Sequence, residues 1–97
     1  MNEVDASILM AVNLALRRVT KAFDSETADI INGAINDLRI AGITNLDTGD
    51  PLIRRAVVTY VKANSDQYDT QERLQYKASY DEQKAQLQVA TGYTEWS

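Results

Sequence analysis

Neither cysteine nor histidine occurs in the 97 residues of this chain. Their absence removes disulfides, thiolate nucleophiles, the usual ligands of zinc, copper and haem, and the commonest general base near neutral pH. A cysteine-free chain suits an intracellular folding compartment. No apolar run approaches the ~20 residues that a membrane-spanning helix needs. Glu3 and Asp5 stand where a signal peptide would begin with basic residues, so no secretory leader is expected. There is no glycine-rich phosphate loop and no Asp-x-Asp-x-Asp-Gly calcium loop, and no cofactor or metal is expected. Basic residues are scarce as well: ten Lys and Arg against fourteen Asp and Glu leave a net charge of −4, which repels a phosphate backbone. The nearest thing to a basic patch is Arg17-Arg18 with Lys21, plus Arg54-Arg55.

The remaining chemistry is thin. Five serines have no histidine to activate them. Asp24 with Glu26, and Asp47 with Asp50, are the only carboxylate pairs worth weighing for acid–base work, and both sit where helix caps and turns belong. An enzyme is not expected.

What is present is helical pattern, and 97 residues make one small domain. The first helix is expected from about Asp5 to Val19, with Val4, Ile8, Ala11, Val12, Ala15 and Val19 on one face and Met10 and Leu14 on the other. It is either a central core helix or a helix covered on its far side by a neighbour. After Asp24-Ser25, Ile30, Ile31, Ala34, Ile35, Leu38 and Ala41 form a 3.6-residue stripe that stops at Gly42. Gly42 suits the left-handed position of a Schellman stop, with Ile43 folding back toward Leu38. Gly33 lies inside that helix at a cost of roughly 1 kcal/mol relative to Ala, explained either by close approach of another backbone or as a tolerated imperfection. Residues 43–49 form a loop. Asp50-Pro51 is the strongest helix start in the chain, an Asp cap followed by Pro at the first helical position. Leu52, Ile53, Ala56, Val57, Tyr60 and Val61 are the buried arc of the helix that follows. Asp69 and Glu72 read as a capping box opening the last helix, which Gly92 ends. Four helices joined by short loops make an all-α fold.

The last helix carries two apolar stripes. Leu74, Ala78, Ala85 and Val89 lie on one side, Tyr76, Tyr80 and Leu87 on nearly the opposite one. A helix at the edge of a small monomer needs one stripe, so the second points to assembly. Trp96, one residue from the end, is either a loose terminus or an anchor of the kind found at interface hot spots.

Several of these segments resemble the tailed-phage head–tail connector (adaptor) family of DNA-packaging proteins. The resemblance is carried by Leu14-Ala15-Leu16-Arg17, Ala22-Phe23-Asp24, and Asp50-Pro51-Leu52-Ile53-Arg54-Arg55-Ala56-Val57 with Tyr60-Val61-Lys62. It continues in Ser79-Tyr80-Asp81-Glu82-Gln83-Lys84 and Thr91-Gly92-Tyr93-Thr94-Glu95-Trp96, so that it covers nearly the whole chain from about Leu9. It implies a non-enzymatic virion subunit, assembled in the host cytoplasm, that forms a homo-oligomeric ring beneath the portal at the head–tail junction. DNA would pass through that ring without specific binding, and the partners would be the portal protein and a downstream connector or tail-completion protein, with no membrane involved. Mapped onto this chain, residues 1–91 are the helical domain and 92–97 a C-terminal docking arm with Tyr93 and Trp96 as portal anchors. Met10, Leu14, Tyr76, Tyr80 and Leu87 are then the subunit interface, so Leu14→Glu or Tyr80→Glu should impair assembly more than folding. The competing expectation is a small helical regulator that binds DNA or a protein partner. Against it stand the acidic charge and a link between Gly42 and Asp50 longer than a helix-turn-helix uses.

Overall fold

The computed structural model describes residues 6–17, 24–90 and 92–95. Four helices account for most of them: α1 (Ala6–Ala15), α2 (Asp24–Ile40), α3 (Pro51–Ala63) and α4 (Thr70–Val89). The all-α expectation holds, the one sheet-like feature among the described residues being an isolated antiparallel bridge between Ile43 and Thr94. The molecule measures 40 × 31 × 19 Å. Its short dimension is about two helix diameters, so each helix has one face inward and one toward solvent.

Local chemistry sets most of the helix ends. Asp50 Oδ1 accepts from the amides of Leu52 (2.9 Å) and Ile53 (3.4 Å), and Pro51 occupies the first turn, where a missing N–H costs nothing. Asp69 Oδ1 accepts the Glu72 amide at 2.8 Å to open α4. The Schellman stop after α2 forms as the glycine predicts. Gly42 has φ +96°, its N–H reaches Arg39 O at 3.0 Å, and Ile43 N–H reaches Leu38 O at 3.1 Å. Ile43 and Leu38 are both buried, completing the hydrophobic half of the motif. The start of α2 is tied to α1, Asn13 Nδ2 donating to Asp24 Oδ1 at 3.0 Å.

Two boundaries differ from the pattern. Helix α1 closes at Ala15, followed by Arg17 in the left-handed region at φ +57°; Val4 and Val19 lie outside the described residues. Helix α4 ends at Val89 rather than running on to Gly92, because Ala90 is already extended.

Helix α3 is the centre, packing on α4, α2 and α1, while α1 also meets α2. The core is built from Ile8, Val12 and Leu16 of the first segment, Ile31, Ala34, Ile35 and Leu38 of α2, and Ile53, Ala56, Val57 and Val61 of α3, closed by Ile43, Tyr80 and Leu87. Leu52, expected inside, is 41% exposed, because it sits in the first turn of α3 at the rim of the α4 contact. What lies close to Gly33 is a side chain rather than a backbone. A Cβ there would stand 3.3 Å from the Tyr60 hydroxyl. Tyr60 itself is half-buried and meets Tyr80 edge-to-face, with centroids 5.1 Å apart.

Candidate assembly surfaces

Helix α4 has twenty residues and is about 30 Å long, against about 20 Å for the thirteen-residue α3 on which it packs. Of its twenty side chains only Tyr80 and Leu87 are buried. This corrects the expectation that they face a neighbour: at 4% and 2% exposure they belong to the chain's own core. Tyr76 is half-buried against the same body, edge-to-face with Tyr68 at 5.1 Å and beneath the Lys62 ammonium at 5.4 Å. The stripe that faces outward is the other one. Leu74 is 62% and Val89 81% exposed, and Ala78 and Ala85 between them are exposed too.

A polar seam sets this rotation. The Tyr80 hydroxyl donates to Asp37 Oδ2 at 2.6 Å, and Lys84 Nζ donates to the same oxygen at 3.1 Å. One turn further on, Gln88 Nε2 donates to Ala41 O at 2.9 Å, satisfying a carbonyl at the end of α2. Residues 80, 84 and 88 of α4 thus face Asp37 of α2 and Ala41 just past its end, each set spaced by one turn. Burial pushes the Tyr80 hydroxyl well above its ordinary pKa, and its bond to the Asp37 carboxylate adds to the shift. Burial would raise Asp37 as well, but the Tyr80 hydroxyl and the Lys84 ammonium outweigh it and hold the carboxyl below its usual range. The seam was not legible in the sequence, since a Tyr/Lys pair four apart does not say which carboxylate it meets.

Helix α1 turns Ile8, Val12 and Leu16 inward and leaves Met10 64% and Leu14 72% exposed. That is the face the pattern sets opposite the buried one. Among α1 residues there is no acidic side chain, and the exposed Arg17 follows Leu14 at its end.

The C-terminal segment is not a free arm over its described length. Gly92 at φ +93° turns the chain back. Tyr93 O accepts from the amides of Thr44 (2.8 Å) and Asn45 (3.3 Å), next to the Ile43–Thr94 bridge. The Tyr93 hydroxyl donates to the Asp50 carboxylate at 2.9 and 3.0 Å, the same group that caps α3. That bond, with some burial and the carboxylate's charge, raises the Tyr93 pKa. Trp96, the second expected anchor, lies outside the described residues.

Three of the four carboxylates considered for chemistry have structural partners, and the fourth, Glu26, is exposed in the first turn of α2. Asp24 takes Asn13, Asp50 caps α3, and Asp47 Oδ1 accepts the Gly49 amide at 2.9 Å in a tight turn. Arg54 is also committed, to Thr48 O and to the Ser7 hydroxyl, each at 3.0 Å, and Arg55 reaches Gln86 at 3.3 Å. Among the described residues no group of three or more acidic side chains gathers as a metal site, and no helix is long and apolar enough to cross a membrane.

A family model described as phage connector protein matches residues 8–94. No curated protein and no solved structure matches the chain.

Proposed function

The chain belongs to the phage connector protein family, and on that premise we propose that it is a head-to-tail connector subunit that assembles as a ring beneath the portal vertex. The observation that carries the proposal, beyond family membership, is the pair of apolar faces on α1 and α4. The monomer core uses neither, and a ring subunit needs two such faces, one for each neighbour. In that ring the subunits extend the DNA channel and offer a surface to the next connector or tail-completion protein. A net charge of −4 per copy, repeated around a lumen, favours a DNA that slides over a surface it does not adhere to. The last residues form the portal contact. Tyr93 holds the segment against the body, and Trp96, three residues on in the sequence, is the side chain we assign to the portal contact. A single aromatic anchor suits a short segment, since few side chains then have to be ordered on docking. The role is structural and places the protein in the virion, at the head–tail junction.

Co-sedimentation with purified portal of the same phage tests this, alongside a variant truncated after Thr91 whose helical content is checked by circular dichroism. Binding by the full chain, lost in the folded truncation, is the expected result. Binding that survives truncation moves the portal contact to the helices. A folded full chain that does not sediment with assembled portal overturns the proposal.

A further inference from the structure

We propose that neighbouring subunits join head to tail, the exposed face of α1 in one copy seating on the outer stripe of α4 in the next. This rests on the ring reading above and specifies which surfaces meet.

Three observations lead to it. The two free faces lie on different helices and differ in composition, so the contact between them is heterologous, the kind that closes into a ring when each copy is rotated by a constant angle. Their relief is complementary. On α1, Met10 and Leu14 stand one turn apart as a short ridge of large side chains. On α4, Ala78 and Ala85 form a shallow floor, about 10 Å long, between the taller Leu74 and Val89. Met10 and Leu14 span about 6 Å along their helix, less than the length of that floor. Their charges are complementary as well. Among the described residues of α1 (Ala6–Ala15) there is no acidic side chain and exposed Arg17 borders the face, whereas exposed Asp81 and Glu82 lie along the α4 stripe between Ala78 and Ala85. Each face therefore finds on another copy of this chain both the shape and the charge it lacks, which commits the occupant to a second copy.

The contact is small. Two large side chains against a four-residue stripe fall in the range of weak interfaces, below about 1,200 Å². Pairs should accordingly dissociate readily, with stability coming from ring closure and from the local concentration that a portal supplies.

Because the natural chain has no cysteine, cross-linking reads the geometry without background. Leu14→Cys is combined in one chain with Ala78→Cys or with Ala85→Cys, and each single-cysteine chain serves as its control. All variants are checked for helical content and treated with a short bis-maleimide, both at high protein concentration and on portal. The expected result is a ladder of dimer, trimer and higher species from at least one double variant, and monomer from the single ones. Arg17→Glu in the laddering variant should cut the yield several-fold, and Glu82→Arg added to it should restore the ladder. Dimers from Leu14→Cys alone would mean that like faces meet, and would overturn the proposal. So would the lack of any ladder from folded chains, whether free or on portal. The two readings separate cleanly: portal binding without a ladder removes only the head-to-tail pairing, and a ladder without portal binding removes only the connector role.

Discussion

Tyr80 and Asp37 should be energetically coupled, and a double-mutant cycle measures by how much. Tyr80→Phe removes the hydroxyl that donates to Asp37 at 2.6 Å. Asp37 keeps Lys84 at 3.1 Å, and its side chain is 37% exposed, so water replaces the missing donor and the loss should be about 1 kcal/mol. Asp37→Ala is worse, because it strands a phenol on a residue only 4% exposed. An orphaned buried donor costs about 1–3 kcal/mol, to which the partly exposed Lys84 pair adds up to about 1. In the double variant no donor is orphaned, so its loss should fall short of the sum by about 1 kcal/mol or more. Urea unfolding followed at the helical circular dichroism band is the assay. Its pH dependence is a second readout. Asp37 is depressed in the folded chain, so its contribution is complete above its unfolded value of about 3.8 and fades as pH falls through the lower folded value. Tyr80 is raised, so its contribution is complete below about pH 10 and is lost as pH climbs beyond that. Additive losses, with a coupling under about 0.3 kcal/mol, would refute the claim that this seam holds α4 to α2.

Tyr80→Glu should unfold the protein or nearly so, since truncating a buried aromatic costs about 3–5 kcal/mol and a second carboxylate would face Asp37, in a domain whose total stability is on the order of 5–15 kcal/mol. Leu74→Glu, on the exposed stripe, should keep the monomer within about 0.5 kcal/mol and retain its helical signal; equal damage from both changes would mean the two stripes are misassigned. Asp50→Ala removes the α3 cap at a cost of about 1 kcal/mol and also releases the Tyr93 hydroxyl. Amide exchange at Thr44, whose N–H bonds Tyr93 O, should then accelerate more than exchange at Ile43, whose N–H bonds Leu38 O within the Schellman stop.

What was legible in the chain was whatever neighbours three to five residues apart decide. Asp50-Pro51, Asp69 and the Gly42–Ile43 stop all form as their residues dictate, because a cap is satisfied by amides or carbonyls of its own helix. The α2 stripe was legible too, since one continuous run of Ile31, Ala34, Ile35 and Leu38 leaves a single way to turn the helix. Helix α4 was not. A helical wheel shows both of its stripes but not which is inward, and size misleads in both directions: Leu74 is out while a tyrosine is in. Gly33 left open a close approach or a tolerated imperfection, and a helix pattern cannot name a tyrosine hydroxyl twenty-seven positions away as its neighbour. The C-terminal fold-back rests on one bridge pair and one hydroxyl, too short a match for any periodicity to announce.

The rotation of α4 follows from polar groups more than from apolar ones, and that choice is what leaves the Leu74–Val89 stripe exposed. Both stripes offer enough hydrocarbon to cover α3, so burial alone barely discriminates between them. Turning α4 half a revolution would bury Leu74 and Val89, but it would drive Asp81 and Glu82, which lie between Ala78 and Ala85, toward the core. It would also leave Asp37 without the Tyr80 and Lys84 donors and uncap the Ala41 carbonyl that Gln88 satisfies. Burying unpaired carboxylates costs several kcal/mol each, more than the apolar area gained by exchanging one stripe for the other. The acidic pair thus does two things at once. It disfavours the inward rotation in the monomer, and in the head-to-tail pairing proposed above it is the charge that would meet Arg17. An apolar stripe flanked by acids is a poor core and a serviceable interface, because at an interface those acids can keep one side in water.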